Sequence, residues 1–310
     1  MQKWVQAIRV SSGFMGLAAI ILTVVLWAIA ANVATSLFLA GVPPFEVAGI
    51  GTMIATFGLA IVDSFFGQSP TVAPRESRTR KLSRQEFAAG ISLAGLVGLD
   101  YLAIQQLSVA VAIVLLFTAP ILVVLWSALT SRQVPSRSVL VTLILSVVGV
   151  VLVSNVLASD ARQVSWLGIG IGLLAAVFFA AYIILLEKLS ETRESSRVLL
   201  TIFAVASLFW LTYQLSQGIP IQLLTPKNFS SIVYIGFAGI LLPYLLFFWC
   251  IQRVQAERAA IAATLEPFIA GVLAWICFGQ VLTPLQITGG VLIIAAVTWL
   301  QIKDAKPTSL

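Results

Sequence analysis

Val109–Thr130 reads VAVAIVLLFTAPILVVLWSALT, twenty-two residues without a charged side chain and with one proline, Pro120, near the middle. About 20 apolar residues suffice to carry a helix across the hydrocarbon core of a bilayer. Outward from this run, similar stretches recur between polar breaks and give ten spans: Gly13–Ala40, Phe45–Phe66, Phe87–Ile104, Val109–Thr130, Ser138–Leu157, Trp166–Leu186, Val198–Gln217, Phe229–Gln252, Ala259–Phe278 and Leu285–Ile302. The breaks carry turn chemistry, as in Gly41-Val42-Pro43-Pro44, Pro135-Ser136-Arg137, Ser159-Asp160, Gly218-Ile219-Pro220 and Thr283-Pro284. Only Gly67–Glu86 is a substantial loop. The first run is far longer than a signal-peptide core, so it is expected to be retained as a span.

Composition agrees. Of the 310 residues, 60% are hydrophobic and only 10% charged, against about 25% charged in an ordinary soluble protein. A mean hydropathy of +1.05 leaves too little polar surface for a water-soluble globule, and disordered chains are poor in apolar residues.

Several chemistries fall away at once. The chain has no histidine, which removes Ser-His-Asp and Cys-His catalysis, HExxH metal sites and histidine proton relays. Cys250 and Cys277 form no CxxC pair, and no Gly-Lys dipeptide exists to build a phosphate-binding loop. No cofactor, metal or catalytic residue is expected.

The net charge of +6 is a matter of topology. Lys3 and Arg9 precede span 1; Arg75, Arg78, Arg80, Lys81 and Arg84 follow span 2; Arg132 and Arg137 follow span 4; Lys188, Arg193 and Arg197 follow span 6; Arg253 and Arg258 follow span 8; Lys303 and Lys306 end the chain. That places sixteen basic residues on one side and two, Arg162 and Lys227, on the other. The positive-inside rule then puts both termini in the cytoplasm, and nucleic acid is not an expected partner.

The two halves echo each other. A shift of 147 residues aligns Ile104-Gln105 with Ile251-Gln252, Ala112 with Ala259, Pro120 with Pro267, and Gln133-Val134 with Gln280-Val281. Each half holds five spans, an odd number, so the halves lie in opposite orientation. The expected fold is an all-α polytopic membrane protein of ten transmembrane helices arranged as two inverted five-helix repeats. The first repeat covers residues 1–157, with cytoplasmic loop 67–86, and the second covers 158–310. Pro120 and Pro267 fall near the bilayer midplane, where a proline removes one backbone bond and kinks the helix. As a pair they are hinge or pathway candidates.

The sequence resembles the drug/metabolite transporter superfamily, in particular its bacterial EamA-type branch of ten-span carriers. The resemblance rests on Ala263-Thr264-Leu265-Glu266-Pro267-Phe268, on Ala274-Trp275-Ile276 and Phe278-Gly279-Gln280, and on Leu285-Gln286-Ile287-Thr288-Gly289-Gly290-Val291-Leu292-Ile293. The first half answers with Tyr101-Leu102-Ala103-Ile104, Thr118-Ala119-Pro120 and Leu125-Trp126. It departs from the family where Gln133 and Gln280 stand in place of the usual Glu, and where span 2 reads Gly49-Ile50-Gly51-Thr52 without an Arg. The resemblance implies a small-molecule carrier and, in part, a central cavity bounded by spans 1, 3, 4, 6, 8 and 9.

Within the spans, Glu266 stands out. A charge near the bilayer centre costs about 2.5–3.5 kcal/mol on insertion scales, so this carboxyl is expected to be buried, partnered or protonated. Without histidine, carboxylates are the natural proton carriers; the alternative is a structural acid that bonds the backbone loosened at Pro267. Asp100, beside Tyr101, reads first as a solvated helix end and second as a gate or cation contact. Asp63, Glu187 and Lys188 read as paired or snorkelling groups at cytoplasmic helix ends. Asn32 reads equally as cavity lining or as a helix–helix bond. Trp4, Trp166 and Trp299 read as interfacial anchors. Trp27, Phe178, Phe179, Tyr182, Tyr244 and Trp249 lie deeper, where rings either pack between helices or surround an apolar or aromatic ligand. Thr118 and Thr264, next to the prolines, complete the cavity candidates. The glycines of Gly168-x-Gly170-x-Gly172, Gly236-x-x-Gly239 and Gly289-Gly290 read as sites of close helix contact.

The function expected from all this is a secondary carrier of the bacterial inner membrane. It would export or exchange small metabolites, such as amino acids or amphipathic drugs, by alternating access driven by a substrate gradient or by a proton or other ion gradient. Its partners would be the substrate and the lipid bilayer. A non-transporting scaffold and an intramembrane lipid-modifying enzyme are the alternatives; the first lacks extramembrane surface, and the second lacks a base beyond Glu266.

Overall fold

The helices of this chain are explained by long apolar runs closed by specific turn residues. The computed structural model describes residues 2–66, 82–107, 109–153, 165–192, 196–218, 221–278 and 283–305. The expected boundary between repeats at 157/158 and residues 67–81 of the expected loop 67–86 lie outside the described residues, and the last three residues of that loop already belong to α3. Thirteen α-helices follow in order: α1 Gln2–Leu39, α2 Pro44–Phe66, α3 Arg84–Gln106, α4 Val109–Leu116, α5 Ala119–Ser131, α6 Arg137–Val153, α7 Trp166–Thr192, α8 Ser196–Gln217, α9 Pro226–Tyr234, α10 Leu242–Ile251, α11 Ala256–Ala263, α12 Glu266–Phe278 and α13 Pro284–Ala305. They make ten spans, since α4–α5, α9–α10 and α11–α12 are each one broken span. Among the described residues seven spans are long and apolar enough to cross a membrane outright, and α6 and the apolar part of α13 are shorter.

Local chemistry sets the ends. Gly41 turns α1 into α2 with φ +82°, a conformation open to glycine because it lacks Cβ. α3 opens on a capping box: the Glu86 N–H donates to Ser83 Oγ at 3.1 Å and the Ser83 N–H donates to Glu86 Oε2 at 3.0 Å.

The two prolines do more than kink their helices. Span 4 is split into 8 and 13 residues around Phe117-Thr118, and span 9 into 8 and 13 around Thr264-Leu265. Pro120 and Pro267 then occupy the second position of α5 and α12. There a missing N–H costs nothing, because the first N–H groups of a helix have no internal partner. A threonine serves the carbonyl at each break: Thr118 Oγ1 donates to Leu115 O at 2.7 Å and Thr264 Oγ1 to Ile261 O at 2.6 Å. Span 8 is interrupted differently, by a π-helical stretch at Ile235–Leu241, where the Leu242 N–H reaches back five residues to Phe237 O. Pro243 follows at once, so the wider turn falls where the proline donates nothing.

Packing follows the internal repeat. α6 lies against α13 (spans 5 and 10), and α2 against α8 (spans 2 and 7). Each pair is its own counterpart under the 147-residue shift. α3 on α7 is echoed by α1 on α10, and α3 on α8 by α2 on the π stretch. Thr56 Oγ1 donates to Phe203 O at 3.1 Å, a bond between residues 147 apart, and the Thr56 and Ser207 hydroxyls lie 2.6 Å apart. Large apolar side chains such as Ile144, Leu208 and Val291 remain exposed on the outer faces, as a bilayer requires of a helical bundle.

Candidate functional site

The breaks in spans 4 and 9 and the π stretch of span 8 border one cavity. Its lining comes from spans 1, 3, 4, 6, 8 and 9, the six named from sequence: Trp27, Ala30 and Ala31; Leu96, Val97, Asp100, Tyr101 and Ile104; Ile113 and Leu116; Phe179; Gly239, Ile240 and Tyr244; and Glu266. The water-accessible volume is about 60 Å³. A single water takes roughly 10–15 Å³ on that measure, so the cavity accommodates a few waters or one small metabolite.

Glu266 is the first residue of α12 and is only 7% exposed. Among the described residues it accepts no hydrogen bond. Thr264 Oγ1 bonds Ile261 O beside the break, while the carboxyl of Glu266 lines the cavity. The helix N-terminus favours a negative group at this position. Asp100 is half-buried on the same lining and is not the solvated helix end expected for it.

The aromatic residues divide. Trp27 meets Tyr244 and Phe179 edge-on, at 5.4 and 6.1 Å between ring centroids, and Phe247 at a tilt at 5.6 Å. Tyr101 is 7% exposed and Tyr244 6%. Tyr182 lies one ring behind the lining, 5.7 Å from Tyr244, with its hydroxyl unbonded among the described residues. Trp249 is elsewhere. Its ring lies under the Arg253 guanidinium at 3.6 Å, and Arg253 Nη1 donates to Trp249 O at 2.9 Å, which ties both to the end of span 8.

Three more candidates are placed off the lining. Asn32 is exposed and donates to Ala28 O at 2.8 Å, so it bonds its own helix and neither lines the cavity nor bridges helices. Thr118 and Thr264 turn inward to their own backbone for the reason given above. Pro120 and Pro267 sit at the breaks, both buried.

Sequence reasoning passed over Glu46 and did not find the partner of Glu187. Glu46, 3% exposed in the first turn of α2, accepts a hydrogen bond from Gln214 Nε2, which also donates to Gly218 O at 2.5 Å. A carboxylate just after Pro43-Pro44 looks like an ordinary solvated cap until α8 is placed over it. Glu187, at the end of span 6, accepts from the Ala256 N–H at 2.8 Å and so caps α11, whose own N-cap residue Gln255 makes no side-chain bond. Lys188 lies over the Trp126 ring at 5.2 Å. Among the described residues no group of His, Cys, Asp and Glu could hold a metal ion.

Ten spans, six of them lining a small central cavity with two half-broken helices at its edge, define a polytopic membrane protein built to move small molecules. The chain belongs to the EamA-like transporter family, whose profile matches residues 14–155 and again residues 166–301. Relatives include the threonine/homoserine exporter RhtA of Escherichia coli, 28% identical over 271 residues that cover 86% of this chain and 84% of RhtA. An uncharacterised transporter of Archaeoglobus fulgidus is 28% identical over 195 residues, 63% of this chain and 68% of its own length. The uncharacterised transporter YwfM of Bacillus subtilis is 27% identical over 219 residues, 68% and 72% of the two chains. A solved crystal structure superposes with a TM-score of 0.76 at 15% identity, over 95% of this chain and 98% of that one; it speaks for the fold. The family and these relatives are transporters, which disposes of the enzymatic alternative.

Proposed function

We propose that this protein is a secondary exporter or exchanger of small amino compounds, of the size and kind of amino acids. It works by alternating access in a bacterial cytoplasmic membrane with both termini in the cytoplasm. The observation that carries the mechanism is an inequality between two equivalent half-helices. In α11 the face from Ala259 to Ala263 is buried throughout, whereas in α4 the corresponding stretch is only partly so, with Val114, Leu115 and Leu116 half-exposed. Two halves of like design held in unlike environments support a cycle in which they exchange environments. Cavity size favours a metabolite over a bulky amphipathic drug, and RhtA, named for threonine and homoserine export, favours the amino-acid class.

The direct test is counterflow in proteoliposomes with radiolabelled threonine, homoserine and phenylalanine. Accumulation that depends on an opposing gradient is expected and should be indifferent to ATP, because the chain lacks a phosphate-binding loop. Strict ATP dependence of the purified protein defeats the secondary-carrier mechanism. For orientation, reporter fusions at Ser77, Arg193 and the C-terminus should read as cytoplasmic and one at Asp160 as external. A cytoplasmic signal at Asp160 breaks the ten-span order.

The cap on α11 gives a second handle. Glu187→Ala leaves the first turn of α11 without its side-chain acceptor, and losing such a cap costs about 0.5–2 kcal/mol. The expected result is greater labelling of a cysteine introduced at Gln255, in a chain lacking Cys250 and Cys277, by a reagent applied from the cytoplasmic side. Unchanged labelling means that the cap does not hold that side shut.

A further inference from the structure

We infer that the cavity recognises its substrate by a protonated amine, held between Asp100 and Glu266 and surrounded by aromatic rings. This rests on the reading above that the cavity is the transport site, and it names the group that the site selects.

The two carboxyls come from different spans, Asp100 from span 3 and Glu266 from span 9, and meet on one lining. Glu266 is buried yet accepts no hydrogen bond among the described residues, so its oxygens are directed at the space and not at the protein. Asp100 accepts none from them either. The described lining has no Lys or Arg. Basic groups near the bundle are engaged at its ends, Arg253 on Trp249 and Lys188 on Trp126. Among the described residues no basic side chain lies on the lining with the pair, so a cation that enters the cavity meets two carboxyls with no ion-pair partner there. Four rings, Trp27, Tyr101, Phe179 and Tyr244, complete the wall. Aromatic faces attract an ammonium group, most strongly where water is excluded.

Charge accounting then ranks ligands. A monoamine brings one positive charge and no carboxylate. A zwitterionic amino acid brings its own carboxylate beside two others, and only neutral donors, the Tyr101 and Tyr244 hydroxyls and the Trp27 N–H, are there to receive it. A simple carboxylic acid offers only repulsion. The expected order is amine, then amino acid, then uncharged analogue, then acid.

A matched series on the full-length purified protein in nanodiscs tests this: phenethylamine, phenylalanine, 2-phenylethanol and 3-phenylpropionate, titrated by calorimetry at pH 7. Phenethylamine should bind at least tenfold more tightly than the alcohol or the acid, with phenylalanine between. Asp100→Asn should weaken phenethylamine at least tenfold and leave 2-phenylethanol within twofold. If that variant does not fold, the series on the unaltered chain decides alone. An acid or alcohol that binds as tightly as the amine, equal losses for amine and alcohol in Asp100→Asn, or no binding by any of the four overturns the inference. Counterflow of threonine without amine selectivity would overturn it and leave the carrier standing. Amine binding without any counterflow would uphold the site and defeat the carrier.

Discussion

Gly289→Val should largely abolish the folded protein. A Cβ at Gly289 would lie 2.6 Å from the Gly149 carbonyl oxygen, 2.8 Å from the Leu152 Cβ and 2.8 Å from the Val153 nitrogen. Two of these are backbone atoms of span 5 and cannot rotate away, so spans 5 and 10 must separate. Separation also strains the bond from Gln286 Nε2 to Val153 O at 3.2 Å. Overpacking costs roughly 1–3 kcal/mol where side chains can yield, and here they cannot, so about 3 kcal/mol or more is expected. In a bilayer, close packing is itself the force that joins helices, which leaves little to compensate. The control is Gly170→Val, where an added Cβ meets nothing within 4 Å; its effect should stay within ~0.5 kcal/mol. Thermal unfolding in detergent and the yield of monodisperse protein compare the two. Equal stability of the variants would mean that spans 5 and 10 are not held as described.

The glycines show where sequence alone stops. Gly168, Gly170 and Gly172 look alike in the chain, yet a Cβ at Gly168 would meet Leu107 at 2.8 Å, one at Gly172 would meet Leu115 at 2.7 Å, and Gly170 faces open space. Spacing marks a helix face but not its neighbour. The ten spans were legible because apolar run length and basic loops are one-dimensional quantities, and Pro120 and Pro267 marked the two special spans for the same reason. At each break a threonine turns its hydroxyl back to the carbonyl three residues earlier, Thr118 to Leu115 O and Thr264 to Ile261 O, a local choice that spacing does not encode. The π stretch of span 8 left no pattern, since apolar residues continue straight through it. Trp27, Tyr101, Tyr244 and Glu266 were nominated for depth and polarity, and the structure brings them together with Asp100. Asn32 and Trp249 met the same criteria but point along their own helices. Glu46 was missed because its burial is supplied by Gln214, 168 residues away.

Glu266→Gln should leave the fold intact and remove the pH dependence of transport. The carboxyl accepts no hydrogen bond from the described protein, so an isosteric amide loses no protein partner, and the break at Thr264-Leu265 keeps its own bond from Thr264 to Ile261. Thermal stability should therefore stay within ~0.5 kcal/mol of the unaltered chain. Transport is another matter, because glutamine neither titrates nor balances a cation in the cavity. Counterflow driven by a proton gradient should fall at least tenfold, and its remaining rate should be flat between pH 5.5 and 8.5. Thr264→Val is the complementary change. It keeps the shape of the side chain and Glu266 but removes the hydroxyl bond to Ile261 O, leaving that carbonyl only the 3.1 Å bond from the Thr264 N–H, at a cost of about 0.5–1.5 kcal/mol for one lost hydrogen bond. That variant should lose stability while its surviving molecules keep the pH profile. The two substitutions, two residues apart, should thus separate cleanly into one that moves the chemistry and one that moves the fold. A Glu266→Gln protein that transports normally with an unchanged pH profile would end the proton-carrier role for this residue, and Asp100 would be the remaining carboxyl on the lining to test by the same substitution logic.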